Sequence, residues 1–229
     1  NKKKFWKHIM NKELLKRLLS STIMIPASLF FIIEGSIFFS FFLFIILIAA
    51  SNEWFAMCKK KNLIKFTGLS FLILSFYLAY NFRIYEGAYV FIFIVLISVC
   101  TDIGGYIFGK LLKGPKITKI SPNKTYSGVI GGFIISLIGG FIFYENMSVN
   151  FSSNLKDSFG EYISFDLSLA IFIMMISTIS QIGDLIISYF KRLAKIKDTG
   201  KLLPGHGGLL DRIDGIIFAV PIAYLILNL

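Results

Sequence analysis

The sequence predicts an all-α, polytopic integral membrane protein. We expect a helical bundle with about seven transmembrane helices, within a range of six to eight, and a cytosolic N-terminus. Of the 229 residues, 55% are hydrophobic and 16% are charged, whereas a soluble domain has about 25% charged residues. The hydrophobic residues also form long runs, and a membrane span needs about 20 apolar residues. These features exclude a soluble enzyme, a disordered chain and a disulfide-stapled secreted module.

The apolar runs divide the chain into seven segments. They are 14–33, 36–57, 63–81, 85–110, 127–144, 167–190 and 215–229. The fourth segment is too long for one straight crossing of about 30 Å of hydrocarbon, so we expect a break at Gly104 and Gly105. The last segment is short and is expected to begin near Asp211. The polar residues 145–166 are predicted to form the main outer loop.

The basic residues lie almost entirely on one side of this topology. The formal net charge is +11, with 24 Lys and Arg residues against 13 Asp and Glu. With a cytosolic N-terminus and seven spans, every Lys and Arg except Arg83 and Lys156 is cytosolic, in segments 1–17, 58–65, 110–126 and 191–214. Since basic residues favour the cytoplasmic side, this distribution supports the orientation and indicates topology rather than nucleic-acid binding.

We divide the chain into N-terminal transmembrane helices, 1–82, and a catalytic transmembrane domain, 83–229. The cytosolic loops of the second part are 110–126 and 191–214. We expect a multi-pass protein of the inner (cytoplasmic) membrane whose active site faces the cytosol.

Three acidic residues fall inside the predicted spans, where ionisable groups are costly and usually functional. Asp184 lies seven residues before Lys191 and Asp102 eight before Lys110, or about 10 and 12 Å along a helix. Both are predicted to line a polar cavity that opens to the cytosol. The third, Glu53, is predicted to be an interfacial charge.

That prediction for Glu53 depends on Trp54, its neighbour, which we expect to anchor the helix at the membrane interface.

The segment 180–215 has the highest density of chemically useful side chains. Asp184, Ser188 and Lys191 recur at helical spacing and should share a face, as should Asp211 and Asp214. Carboxylates with few soft ligands nearby favour a hard cation such as Mg²⁺. Basic side chains suited to phosphate oxygens are Lys191, Arg192, Lys195, Lys197 and Arg212. This mixture favours metal-bridged phosphates over a merely basic loop.

A glycine-rich turn, 204–208, lies in the same segment and reads PGHGG. Its backbone can approach a ligand closely, and its N–H groups can hold an anion. We expect His206 to contact the ligand rather than to act as a general base, because phosphoryl transfer depends mainly on positioning and charge neutralisation. We do not expect a zinc site, because no second His or Cys lies nearby.

A second loop, 112–128, is predicted on the same side of the membrane. It contains four lysines, Lys113, Lys116, Lys119 and Lys124. The loop could clamp a phosphate or lipid headgroup, or it could simply be attracted to anionic lipid at about 1 kcal/mol per charge. Composition does not separate these alternatives.

These motifs resemble the signature of the phosphatidate cytidylyltransferase family, whose members are also called CDP-diacylglycerol synthases. The resemblance rests on fixed positions from Ser188 to Asp214, preceded by Gly183-Asp184-Leu185. Further matches are Asp102 with Gly104 and Tyr106, and Ser121-Pro122-x-Lys124-Thr125 with Gly128. It therefore covers the chain from about Asp102 to the C-terminus.

The resemblance implies that CTP and phosphatidic acid react to give CDP-diacylglycerol and pyrophosphate. It implies Mg²⁺ held by Asp184 and Asp211 with support from Asp214, and it adds a second, monovalent cation. Lys191, Arg192, Lys197 and Arg212 would neutralise the triphosphate. The remaining expected catalytic residues are Asp198 and His206, and the expected substrate contacts are Ser188, Lys124, Thr125, Gly205, Gly207, Gly208 and Asp102.

Two departures from the family pattern are visible. Ser127 stands where the family usually has Glu, so activity should be lower if that acid orders the loop or the metals. The N-terminal half is also short for the family.

Several alternatives stay open. A CTP-dependent lipid or polyprenol kinase would transfer the γ-phosphate instead. A transporter of anionic solutes would show flux without CTP turnover, but the chain has no internal repeat. Apart from substrates and membrane lipid we expect no nucleic-acid partner, and a homodimer is one alternative for the oligomeric state.

Overall fold

The protein is an α-helical membrane bundle. The computed structural model describes residues 12–58, 62–118, 121, 124–159, 167–200, 202 and 207–228, with side chains left undescribed at 12–19 and 147–159. The helices are α1 (Lys12–Glu34), α2 (Ser36–Met57), α3 (Asn62–Tyr85), α4 (Gly87–Leu112), α5 (Tyr126–Phe159), α6 (Leu167–Leu193), α7 (Leu210–Ile213) and α8 (Ile216–Leu227). The described residues form no strand, and the bridge that joins two of them is the antiparallel one between Lys116 and Thr125. The all-α prediction is therefore confirmed.

Length and composition make this a multi-pass membrane protein. Among the described residues, five helical stretches are long and apolar enough to cross a membrane. They are Ser36–Met57, Asn62–Tyr85, Gly87–Leu112, Tyr126–Asn146 and Leu167–Leu193. Two shorter apolar helical stretches are Ser20–Glu34 and Ile216–Leu227. Helices satisfy their own backbone polar groups, which hydrocarbon requires. All seven predicted apolar segments are helical, while the number of spans and their orientation stay predictions.

The predicted break at Gly104 and Gly105 is wrong, because α4 continues through both glycines to Leu112. Their role is close packing against α5. A Cβ added at Gly104 would collide with the carbonyl oxygen of Gly131, and one at Gly131 would collide with Phe108. Small residues allow membrane helices to approach in this way. The glycines therefore join α4 to α5 instead of interrupting α4.

Two further boundaries differ from the sequence prediction. The first part of the predicted outer loop is helical, because α5 runs to Phe159. The final segment begins close to the predicted Asp211 but is divided: α7 ends at Ile213, and α8 starts at Ile216 after a turn at Asp214 and Gly215.

At one end of the bundle, Arg83 of α3 closes the end of α1. Its guanidinium donates hydrogen bonds to the carbonyls of Ile32 at 2.6 Å and Ile33 at 2.9 Å. These carbonyls belong to the last turn of α1, which lacks partners within the helix. Gly35 follows with φ of 67° and lies against the guanidinium, where a Cβ would collide. Arg83 thus has a structural role on the side predicted to be extracytosolic.

We expect Arg83→Leu to lower the apparent melting temperature in detergent by about 3–12 °C. Hydrogen bonds from a charged donor contribute about 1.5–3 kcal/mol, and about 1 kcal/mol corresponds to about 2–4 °C for a chain of this size. Arg83→Lys keeps the charge without the planar fork and should lose less. An unchanged melting temperature in Arg83→Leu would show that the cap does not contribute to stability.

The opposite end of the bundle, where α2, α4 and α6 end and α3 and α5 begin, is called the polar end here. An apolar cluster of α2, α3, α6, α7 and α8 side chains supports it, including Trp54, Leu72, Ile187, Leu210 and Ile217. The Trp54 ring packs edge-on against Phe190 with ring centroids 5.0 Å apart. Close van der Waals packing of these side chains fixes α7 against α2 and α6.

Candidate active site

The last turns of α6 carry three of the predicted site residues on one face. Ser188 donates a hydrogen bond from Oγ to Asp184 Oδ1 at 3.2 Å, and Ser188 and Lys191 are both buried. The spacing of four and three residues places these side chains along one stripe of the helix. The predicted common face of Asp184, Ser188 and Lys191 is therefore confirmed.

Lys124 connects the loop between α4 and α5 to this face. Its Nζ lies 2.6 Å from Asp184 Oδ2 and donates a hydrogen bond to the carbonyl of Gln181 at 3.3 Å. Lys113 and Lys116 of the same loop are exposed. Lys124 therefore differs from Lys113 and Lys116, because it contacts a carboxylate of the protein. Attraction to anionic lipid alone would not require this contact.

Thr125 and Ser127 organise the base of that loop. Thr125 Oγ1 accepts a hydrogen bond from the Gly128 N–H at 3.2 Å, which caps the start of α5. Ser127 Oγ lies 2.9 Å from Thr125 Oγ1 and accepts a hydrogen bond from the Gly114 N–H at 3.4 Å. Ser127 thus joins both ends of the loop by hydrogen bonds, without the acid usual in the family. The substrate contact predicted for Thr125 stays a prediction.

A second group of charges lies beside the first. Lys191 Nζ is 2.9 Å from Asp211 Oδ1 and 4.0 Å from Asp214 Oδ2. The second oxygen of Asp211, Oδ2, accepts hydrogen bonds from the N–H groups of Thr199 at 2.8 Å and Gly208 at 3.1 Å. Asp211 and Asp214 therefore face the same lysine, as their spacing predicts, and Asp211 also holds the loop that precedes α7.

The two groups meet at Asp184 and Asp214, whose carboxyl groups are within hydrogen-bonding reach of each other. Burial, followed by the charge of Asp184, raises the pKa of Asp214 well above its usual value. Asp102 on α4 is exposed at the edge of this group, where the charges of Lys124 and Arg212 act on it. Crowded carboxylates of this kind are stabilised by cations.

The other predicted site residues are more peripheral or lie outside the described residues. Lys197, Asp198, Arg192 and Arg212 have exposed side chains. Gly207 adopts a φ of 85°, and the position of its Cβ would be 3.4 Å from Asp211 Oδ2, so a glycine suits this turn. Gly205 and His206 lie outside the described residues. The catalytic and substrate-binding roles of all these residues stay predictions.

Glu53 belongs to this region, and its predicted role as an interfacial charge is wrong. It is 8% exposed, and its carboxylate accepts hydrogen bonds from the backbone of Leu209 and Leu210. The neighbouring Trp54 is 4% exposed, so it is not an interface anchor either. The signal that could have identified Glu53 is an acid inside an apolar helix, which by default indicates function.

The donor set suits a hard divalent cation. Within the described part of the chain, no three His, Cys, Asp or Glu side chains are placed to hold a metal ion by themselves. Asp184 and Asp214 offer two adjacent carboxylates, and Mg²⁺ is usually bound through one or two carboxylates with water and substrate phosphate. The lysine ammonium 2.6 Å from Asp184 shows that this position accepts positive charge. The residues therefore fit Mg²⁺, with Asp211 engaged mainly by Lys191 and the loop.

Comparison with known proteins identifies the family of this chain. The model of a family described as the cytidylyltransferase family matches residues 63–229, which extends the similarity beyond the motifs into α3. A phosphatidate cytidylyltransferase of Staphylococcus saprophyticus is 36% identical over 179 residues, covering 73% of this chain and 62% of that protein. One from Brucella suis is 41% identical over 137 residues, covering 59% of this chain and 45% of that protein.

The chain thus spans less than two thirds of the length of these curated relatives. The family match nevertheless includes α4, α6 and α7, and with them every charged residue of the site except Glu53. The chain belongs to the cytidylyltransferase family.

Proposed function

We propose that this protein transfers a cytidylyl group from CTP to phosphatidic acid, for phospholipid biosynthesis. An oxygen of the lipid phosphate attacks the α-phosphorus of CTP. The bond from that phosphorus to the oxygen bridging the β-phosphorus breaks, and pyrophosphate leaves with the electron pair. The products are CDP-diacylglycerol and pyrophosphate.

The observation that carries the proposal is the pairing of acids with lysines at the polar end, all of them partly or fully buried. Lys124 beside Asp184 and Lys191 beside Asp211 place two cations at a site suited to a triphosphate. Charge spread over phosphate oxygens in the transition state is stabilised by such fixed cations. Arg192, Lys197 and Arg212 are proposed to add to this neutralisation from the rim.

Asp184 and Asp214 are proposed to hold Mg²⁺, with Asp211 as the further expected ligand. When bound, Mg²⁺ would withdraw charge from the attacking and leaving oxygens. The protein's own residues orient the site: Ser188 fixes one oxygen of Asp184, and Lys191 compensates Asp211 and Asp214. A second, monovalent cation is part of the proposal through the family resemblance only.

The setting of the site suits one lipid and one water-soluble substrate. The polar end joins long apolar helices to charged loops, so a two-chain lipid and CTP can reach the same cluster. We place this end at the cytosolic face of the inner membrane, because the basic residues concentrate there. The relatives do not favour a kinase or a transporter, and a homodimer stays one alternative for the assembly.

The test is CTP incorporation by detergent-purified protein with phosphatidic acid and Mg²⁺. We expect label from the α-phosphate of CTP to enter the lipid and label from the γ-phosphate to leave as pyrophosphate. A chelator should abolish the product, and added Mg²⁺ should restore it.

Three outcomes would contradict this proposal. Entry of the γ-label into the lipid would indicate a lipid kinase. Product formed equally well with chelator would remove the metal from the mechanism. Flux of anions in liposomes without CTP turnover would indicate a transporter.

A further inference from the structure

Glu53 accepts three hydrogen bonds from a segment that follows α6 far along the chain. Its Oε1 accepts the N–H of Leu209, and its Oε2 accepts the N–H of Leu210 and the hydroxyl of Thr199, each at 2.8 Å. The residue is 8% exposed and lies in α2, near the end of that helix. A buried carboxylate with this many donors is strongly held, because hydrogen bonds to an ionised acceptor are about twice as strong as neutral ones.

The same segment is held from its other side by Asp211. The N–H of Thr199 donates to Asp211 while its hydroxyl donates to Glu53, so Thr199 is fixed between the two acids. Gly200 and Gly208 make the close approach possible, because a Cβ at either would lie 2.6 Å from an oxygen of Glu53. At least part of the glycine pattern is therefore required by Glu53 rather than by a ligand.

The donors from Leu209 and Leu210 are the N–H groups at the start of α7, which have no acceptor within that helix. Asp211 and Arg212 follow directly, and Leu210 is fully buried in the apolar cluster with Trp54. Glu53 thus sets the position of α7 relative to α2. It also lies before residue 63, where the family match begins.

From these contacts we infer that Glu53 is a positioning residue of the active site, supplied by the N-terminal part of the chain. It holds Thr199 on one side and Leu209 and Leu210 on the other so that Asp211 faces Lys191. Its effect on turnover rests on the proposed function. Its effect on the loop does not, so the two can be tested separately.

The first experiment measures hydrogen exchange in the full-length protein in detergent. Glu53→Gln keeps the size of the side chain but replaces one acceptor oxygen by an NH₂ group, which cannot accept from the backbone N–H groups. We expect exchange about tenfold faster or more in peptides covering 199–212, with the remaining helices unchanged. Glu86→Gln is the matched control, because Glu86 is also 8% exposed but accepts a hydrogen bond from Asn228 away from the polar end.

The second experiment separates positioning from general stability through kinetics. Glu53→Gln should raise the KM for CTP about tenfold or more and leave the KM for phosphatidic acid within about twofold. Thr199→Val removes one of the three donors to Glu53, so its effect should be smaller than that of Glu53→Gln, and the two effects should be less than additive because both substitutions weaken one hydrogen-bond network.

Unchanged exchange over 199–212 in Glu53→Gln would overturn the inference, and so would faster exchange along the whole bundle. Additive effects of the two substitutions would also overturn it. If the wild-type protein shows no CTP turnover, the proposed function fails, and the exchange experiment alone decides the role of Glu53.

Discussion

Asp211→Asn is expected to abolish cytidylyl transfer while leaving a folded, monodisperse protein. Asn can still accept from the N–H groups of Thr199 and Gly208 through one oxygen, as Asp211 does. It cannot carry the charge that faces Lys191 at 2.9 Å, and its NH₂ group would point at the ammonium. The hydrogen bonds from Thr199 and Gly208 are therefore retained, while the negative charge beside Lys191 is lost. We expect turnover to fall by at least about 100-fold, the effect of removing one strong stabilising group.

The measurement is the initial rate of lipid labelling from α-labelled CTP, with size-exclusion chromatography of the same preparation. Glu34→Gln is the matched control, because this acid is exposed at the other end of the bundle and should leave the rate unchanged. Wild-type activity in Asp211→Asn would remove Asp211 from the site. Aggregated protein would show instead that its role is structural.

Lys124→Met is expected to reduce kcat/KM by at least about 100-fold, since it removes a cation that the structure places directly on Asp184. Attraction to anionic lipid would give a much smaller effect, because about 1 kcal/mol per charge corresponds to only about fivefold. This difference separates the two roles that composition leaves open for the lysine loop.

Lys116→Met is the matched control for Lys124→Met. Both lysines lie in the loop between α4 and α5, but Lys116 is exposed. We expect its loss to cost less than about fivefold, with larger effects in anionic vesicles than in neutral detergent. Equal losses in the two variants would mean that the loop acts through overall charge and that the contact with Asp184 is unimportant for turnover.

Hydrophobic runs predict the helices of this protein well. Hydrocarbon offers no hydrogen-bond partners, so the backbone N–H and C=O groups of a membrane segment must bond to each other, as they do in a helix. Segment 36–57 coincides with α2, which begins just after Gly35 and ends before a run of lysines. The error at Gly104 has a physical source. A glycine weakens an isolated helix, but here α5 packs against it and the helix persists. The extension of α5 beyond Asn146 was not predicted, because the residues after Asn146 are more polar. Hydropathy indicates which segments are apolar, not which segments are helical.

The chemistry of the site was predictable only where the relevant side chains share one helix. Asp184, Ser188 and Lys191 follow from helical spacing alone. The pairing of Lys191 with Asp211 and of Lys124 with Asp184 joins separate elements, and no local pattern specifies it. Glu53 is the extreme case, because its local neighbours indicate an interfacial charge while all three of its described partners lie at the other end of the sequence.

The contact between α2 and the segment before α7 also has a consequence for the order of assembly. The partners of Glu53 are 146 to 157 residues away along the chain, so they are synthesised long after α2. Contacts at such separation form late, because the intervening chain must be ordered first. The N-terminal helices therefore enter the membrane with an acid that has not yet met its donors. The candidate site is complete only after α7 has been made, so a product truncated before α7 would leave Glu53 without its backbone donors.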